Sequence, residues 1–301
     1  MNVHDRVEEI YQEIWLRELF AKYRPEGETH LLQAINFRDQ MNRFSWGMLF
    51  LYIYVLGRRS KEELPISIAA DMELICLSSR ILDDVLDEDN SQLERCIGRQ
   101  NTLFLFTELL ITSLRQLQAF ECRDIGYMHL HSALQAEWLD VNRNMFDEIS
   151  EQQYIKKILP KSSAMFKFVT AYADSNHQEF WDEFWNWACM GMQLSNDLSA
   201  IYNDEKSDLI KLKPTLPLLK TFDVSDEARK LEIRAGFMEY ASGKGSVSTV
   251  REFIEAQGAL EYCLILRELC KERCLHMLQE QFPEQTEMTG KLLAYLNMVA
   301  A

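Results

Sequence analysis

Chain breakers are scarce in this sequence. Eleven glycines and six prolines occur in 301 residues, where average usage of roughly 7% and 5% would give about twice as many. A β-sandwich, a barrel or a glycine-looped α/β enzyme needs more turns than these supply, so long helices are expected. The seven cysteines are odd in number and form no Cys-x-x-Cys pair, which argues against a disulfide framework and against a structural zinc site. The longest apolar run, Trp46 to Gly57, is too short for the ~20 residues that span a bilayer. The first twenty residues are charged and amphipathic, without the apolar centre of a signal peptide, so a cytoplasmic location is expected. Positive charge is scarce too: 32 Lys and Arg stand against 47 Asp and Glu, a net charge of −15. Such a chain repels nucleic acid and anionic membranes, and one that handles an anion would need metal ions to mediate.

What is present is helical periodicity. Val7, Ile10, Tyr11, Ile14 and Trp15 recur at three- and four-residue steps, the apolar stripe of an amphipathic helix. The pattern predicts further helices over 30–57, 65–87, 99–120, 126–147, 151–173, 177–204, 225–242, 247–275 and 285–300. Pro214 and Pro217 stop the chain between two of them, and the run 223–226 offers a helix cap. With no repeat and no long linker, one all-α domain of about ten helices over residues 1–301 is the economical expectation.

The most informative stretch ends the third helix. Asp83 and Asp87 are i,i+4 neighbours with Asp84 beside them, so their carboxylates share a helix face. Like charges at that spacing cost about 0.2–0.5 kcal/mol, and a helix C-terminus disfavours anions. A divalent cation reverses both penalties, and Mg2+ suits a pair of carboxylates because it keeps several waters and bridges to phosphate. Taken alone, the motif fits a solvated acidic helix end equally well.

A second acidic stretch carries Gln193, Asn196, Asp197 and Asp204, followed by Lys206, Lys211 and Lys213. Oxygen donors for a metal beside lysines for an anion suit a diphosphate; an ordinary acidic helix running into a charged loop reads the same way. The aromatic group Trp181, Phe184, Trp185 and Trp187 fits either a cation-stabilising wall or, more simply, core or a dimer interface. Arg80 reads as a structural ion pair with Asp84 or Glu73. Cys270, Cys274 and His276 lack a fourth ligand and read as packing.

Together the two acidic motifs resemble the polyprenyl synthetase family, whose all-α members place two aspartate-rich helices across a central cavity. The run Glu73 to Asp84 resembles that family's Glu-Leu-Ile…His-Asp-Asp element, Gln135 to Asp140 its Gly-Gln-x-x-Asp element, with Glu137 in place of Gln, and Lys161-Ser162-Ser163 its diphosphate-touching Lys-Thr. Gln193 to Asp197 resembles its Phe-Gln-Ile-x-Asp-Asp. The likeness covers about residues 30–220. It implies the isoprenoid-synthase helical bundle, with Mg2+ held by Asp83, Asp84, Asp87, Asn196, Asp197 and Asp204. It further implies that Lys161, Gln193, Lys206 and Lys213 bind the diphosphate, and that Asp83, Asp84, Asp87 and Asp197 are catalytic. A homodimer is also implied.

The departures narrow the activity. The basic Gly-Gly-Lys-Arg-x-Arg-Pro segment that helps bind isopentenyl diphosphate is replaced by Met41-Asn42-Arg43-Phe44-Ser45-Trp46, and the Arg-Arg pair after the first motif by an acidic run; Arg43 and Arg95 read as remnants. The allylic side of the chemistry is kept and the homoallylic side is lost. With Leu77 to Asn90, this pattern resembles the ComQ-type competence-pheromone isoprenyl transferases. The expected activity is therefore Mg2+-dependent transfer of a geranyl or farnesyl group from its allylic diphosphate to a tryptophan of a precursor peptide. Ser78 and Ser79, small and one turn before Asp83, leave room for a long tail. A terpene cyclase on the same scaffold is the alternative, although Ala200 stands where a cyclase's second metal motif has Ser or Thr. A short-chain polyprenyl diphosphate synthase and a non-catalytic partner subunit follow.

Overall fold

A computed structural model describes residues 6–25, 27–28, 30–58, 63–87, 91–142, 150–158, 160–202 and 215–298, the side chains of 157, 158 and 161 excepted. Among the described residues all regular structure is helical, without strands. The helices are α1 (Val7–Trp15), α2 (Leu31–Ala34), α3 (Phe37–Arg43), α4 (Trp46–Gly57), α5 (Ile66–Leu86), α6 (Gln92–Ile97), α7 (Arg99–Leu117) and α8 (Arg123–Val141). They continue with α9 (Glu151–Gln153), α10 (Pro160–Ala173), α11 (Gln178–Tyr202), α12 (Leu216–Asp223), α13 (Glu227–Ala241), α14 (Val247–Ala256), α15 (Ala259–Gln281) and α16 (Thr286–Tyr295).

The all-α expectation holds, but several predicted helices are divided. The stretch 30–57 is three helices. Asn36 takes a left-handed φ of 51° between α2 and α3, and Ser45 restarts the chain by accepting the Met48 N–H at 3.1 Å as the cap of α4. The stretch 247–275 breaks at Gly258, whose φ of 68° ends α14 and begins α15. Within 151–173 a π-helical turn, Tyr154–Ile158, separates α9 from α10. Pro217 both stops and starts: it lies in the first turn of α12, where its missing N–H costs no hydrogen bond. Asp226 caps α13 by accepting the Arg229 N–H at 2.8 Å, as the 223–226 run suggested.

The chain forms two compact units. One comprises Met1–Leu130, Met165–Trp181 and Phe282–Ala301, the other His131–Ala164 and Asp182–Gln281. In the first, α4 is apolar almost all round and almost wholly buried, as a central helix must be. It crosses α5 closely because residue 47 is glycine: a Cβ there would sit 2.6 Å from the Ala69 carbonyl oxygen. Tyr295 of α16 ties the α4 N-terminus, its hydroxyl accepting the Ser45 N–H at 2.6 Å and donating to the Ser45 carbonyl at 2.8 Å.

The second unit packs Leu194, Leu198 and Ile201 of α11 with Leu218 of α12, Phe237 of α13, Ile254 of α14 and Cys263 and Cys270 of α15. The tryptophan-rich stretch resolves as core: Trp181, Phe184 and Trp185 are fully buried, and Trp187 packs partly buried on the second unit's core. Cys270 and Cys274 are fully buried as well, while His276 is exposed and pairs with Glu280 at 3.1 Å. That group is packing.

Candidate active site

Helix α5 is built around buried acids that already have partners. Asp71 forms an ion pair with Arg17 at 2.6 Å; burial raises its pKa and the guanidinium opposes that shift. Glu73 accepts from the Ser45 hydroxyl at 2.6 Å and the Gly47 N–H at 2.9 Å, so its carboxylate lies at the N-terminus of α4, where the helix favours an anion. Burial still raises its pKa, against those hydrogen bonds and the charge of Arg80. Arg80 donates to Gln40. The side chain expected to pair with Asp84 or Glu73 is thus bonded to α3 and acts on Glu73 through its charge.

Asp83, Asp84 and Asp87 differ from these in being half-buried. They occupy the C-terminal turn of α5, and Asp87 caps it by donating its N–H to the Asp83 carbonyl at 2.8 Å. Arg99, at the start of α7, reaches the same end and donates to the Val85 carbonyl at 3.2 Å. Part of the positive charge that this helix end calls for is therefore supplied by the protein, a contact fourteen residues away that the sequence pattern did not disclose.

In the second unit Asp197 is buried and accepts three hydrogen bonds. Gln193 donates to Oδ1 at 2.7 Å; the Tyr154 hydroxyl and the Leu216 N–H each donate to Oδ2 at 3.0 Å. The carboxylate thereby holds the first residue of α12 and the π-helical turn. Burial first, and then the Asp197 charge, pushes the Tyr154 hydroxyl well above its ordinary pKa, so it stays a donor. The same two causes push the Cys263 thiol up to about 12. Asn196, next in sequence, is exposed. Glu137 is buried and Asp140 half-buried on α8.

Asp204, Lys206 and Lys213 lie outside the described residues, and Lys161 stands in the first turn of α10 with its side chain outside them. Sequence reasoning missed Tyr154, which lies 43 residues before Asp197 and carries no motif. Ser78 is buried with its hydroxyl donating to the Ile75 carbonyl at 2.6 Å, and Ser79 contacts the Met165 sulfur at 3.5 Å.

Among the described residues no three His, Cys, Asp or Glu side chains converge as a ready-made metal site. The donor chemistry nonetheless suits Mg2+. Asp83 and Asp87 offer hard oxygens one turn apart and half-exposed, and this ion takes one or two carboxylates and fills its shell with water and phosphate.

No family model matches the chain. The tryptophan prenyltransferase ComQ of Bacillus spizizenii is 26% identical over 251 residues, 79% of this chain and 88% of that protein. In sequence this chain is similar to ComQ. Its fold is that of the polyprenyl synthases. A decaprenyl diphosphate synthase from Rhodobacter capsulatus superposes with a TM-score of 0.77 at 16% identity, covering 99% of this chain and 100% of that one. A polyprenyl synthase from Caulobacter crescentus CB15, in complex with calcium and isoprenyl diphosphate, superposes at 0.72 and 16% identity over 99% of this chain and 98% of that one. The all-α isoprenoid-synthase expectation is met on both counts.

Proposed function

We propose that the protein is a Mg2+-dependent isoprenyl transferase that ionises an allylic diphosphate, geranyl or farnesyl, and passes the prenyl group to a tryptophan of a peptide. The observation that carries this reading is the similarity to a tryptophan prenyltransferase over 79% of the chain, with the paired aspartates of α5 left half-exposed while that helix's other acids are buried and bonded. In the relative bound to calcium and isoprenyl diphosphate, a divalent ion and a diphosphate occur together.

On this reading Asp83, Asp84 and Asp87 hold the ion, which supplies Lewis-acid stabilisation of the charge gathering on the leaving diphosphate. Asn196, Asp197 and Asp204 are proposed as further oxygen donors, and Lys161, Gln193, Lys206 and Lys213 as diphosphate contacts. Asp197 holds Gln193 in place through its Oδ1. The allylic carbon–oxygen bond breaks with its electron pair leaving on diphosphate, and a carbon of the indole donates a π pair to form the new carbon–carbon bond. One proton then leaves the indole. Water must be kept from the allylic cation meanwhile.

The reading also includes a homodimer in the cytoplasm. Phe104 and Ile111 on α7, 67% and 63% exposed and two turns apart, favour association, which sedimentation velocity measures. The activity is tested by incubating the protein with farnesyl diphosphate, Mg2+ and a tryptophan-containing peptide. A prenyl mass increment on the peptide and release of pyrophosphate are expected. A hydrocarbon product formed from farnesyl diphosphate alone would make the protein a cyclase instead.

A further inference from the structure

Helix α13 is apolar on two opposite sides. Ile233 and Phe237 pack into the core of the second unit, yet Leu231 and Met238 face away from it, 70% and 53% exposed. Ala228, Ala235 and Ser242 are exposed with them. At 3.6 residues per turn these five positions fall within about 80° of one another around the helix axis. They recur at alternating three- and four-residue steps, the spacing of a coiled-coil seam. A surface helix ordinarily turns a polar side outward, so an outward seam of this kind is unusual. The helix has fifteen residues, which at 1.5 Å each give the seam a length of about 22 Å.

The edges of the seam are charged and mostly acidic. Glu232 and Glu239 run along one side, Glu227 and Arg234 along the other. Glu227 pairs with Lys230 at 2.8 Å and Glu232 with Arg229 at 2.5 Å; exposed pairs of this sort contribute little, so both acids stay available to an incoming cation. Arg234 lies over the Phe222 ring, 5.8 Å from its centroid. Edge charges decide which helix a seam accepts and in which direction. A second copy of α13 fits poorly. Antiparallel pairing sets the Glu232–Glu239 edge against itself, and parallel pairing sets Glu227 of one copy against Glu232 of the other. An anionic lipid surface is repelled by the same acids and by the net charge of −15. Lysine or arginine beside an apolar stripe of matching spacing would complement both the seam and its edges. Ala228 and Ala235, the small members of the seam, leave room for the large side chains of such a helix.

We infer that the outward face of α13 docks an amphipathic helix of another protein, one with leucine-type residues in its seam and lysine or arginine along its edges. This holds or fails separately from the prenyl-transfer reading. The test is fluorescence anisotropy of the full chain with a labelled peptide of three heptads, leucine at both seam positions and lysine at both edge positions; the lysines keep the peptide from pairing with itself. A peptide of the same composition in scrambled order controls for general attraction to an acidic chain and should bind at least tenfold more weakly. Leu231→Gln combined with Met238→Gln, uncharged changes at exposed positions, should also weaken the heptad peptide at least tenfold, with circular dichroism unchanged. Glu232→Lys combined with Glu239→Lys should reverse the preference, rejecting the lysine-edged peptide and admitting a glutamate-edged one. Equal binding of the scrambled peptide, or undiminished binding by the double glutamine variant, would overturn the assignment. So would a fall in the sedimenting mass of that variant, because a second copy would then cover the face. Binding of the wild type, but not of that variant, to phosphatidylcholine vesicles would equally overturn it in favour of a lipid contact.

Discussion

The Tyr154 hydroxyl donates to Oδ2 of Asp197 over 3.0 Å inside the second unit, and the Leu216 N–H shares that oxygen. One carboxylate thus fixes a π-helical turn, the start of α12 and, through Oδ1, the Gln193 amide. Hydrogen bonds to charged groups contribute about 1.5–3 kcal/mol. Tyr154→Phe should therefore lower the melting temperature by several degrees with the helical content unchanged. Asp197→Ala should cost more than Tyr154→Phe, because it leaves three donors without their acceptor. Calorimetry on both variants checks the order, and equal melting temperatures would contradict the hub described for Asp197.

The acids of α5 should behave in the opposite way. Asp83 and Asp87 repel each other across one turn, so Asp87→Asn should leave stability unchanged or raise it by about 0.2–0.5 kcal/mol. If the pair holds the catalytic ion, the same variant should lose several kcal/mol of transition-state stabilisation, a fall of roughly 100-fold or more in kcat. Pyrophosphate release from farnesyl diphosphate, measured beside thermal unfolding, separates the two effects. Normal turnover in both Asp83→Asn and Asp87→Asn would remove the metal assignment.

The contrast between these two aspartate sites shows where sequence reading succeeds. The acidic turn of α5 is legible because Asp83, Asp84 and Asp87 lie within five residues, and a helix converts that spacing directly into a shared face. The burial of the Trp181 to Trp187 stretch is legible for the same reason, large apolar side chains recurring at helical steps. Tyr154 is not, because its partner lies 43 residues away and nothing local requires a tyrosine there. The breaks at Asn36 and Gly258 are also hidden: the apolar pattern continues on both sides of each, and only the left-handed backbone conformation ends the helix. For Arg80 the sequence suggests an acid on its own helix as partner, whereas α3 supplies Gln40.

Gly47 sets how closely α4 and α5 approach. In Gly47→Ala the new methyl carbon would lie 2.6 Å from the Ala69 carbonyl oxygen and 3.1 Å from the Ile10 side chain, and a backbone oxygen cannot swing aside. Overpacking of this kind costs about 1–3 kcal/mol. The substitution should therefore lower stability. It should also loosen Glu73, because the Gly47 N–H is one of the two donors that hold its carboxylate. Chemical denaturation followed by tryptophan fluorescence measures the loss.

His30 provides a pH dependence with a defined sign. Its Nδ1 accepts the Leu32 N–H at 3.1 Å to cap α2, and its ring stacks on Trp15 with centroids 3.9 Å apart. Burial lowers its pKa below the usual 6.5, against a smaller opposing effect of the Trp15 backbone. Above pH 6.5 the ring is neutral in both the folded and the unfolded chain, and the cap contributes fully. As the pH falls below 6.5 the unfolded chain takes up the proton first, so stability declines until the lowered folded value is passed. An asparagine side chain in its place would cap the helix without titrating. His30→Asn should accordingly show a smaller loss of melting temperature than the wild type between pH 7.5 and pH 5.5, and an identical loss in the two proteins would show that this ring does not titrate on unfolding.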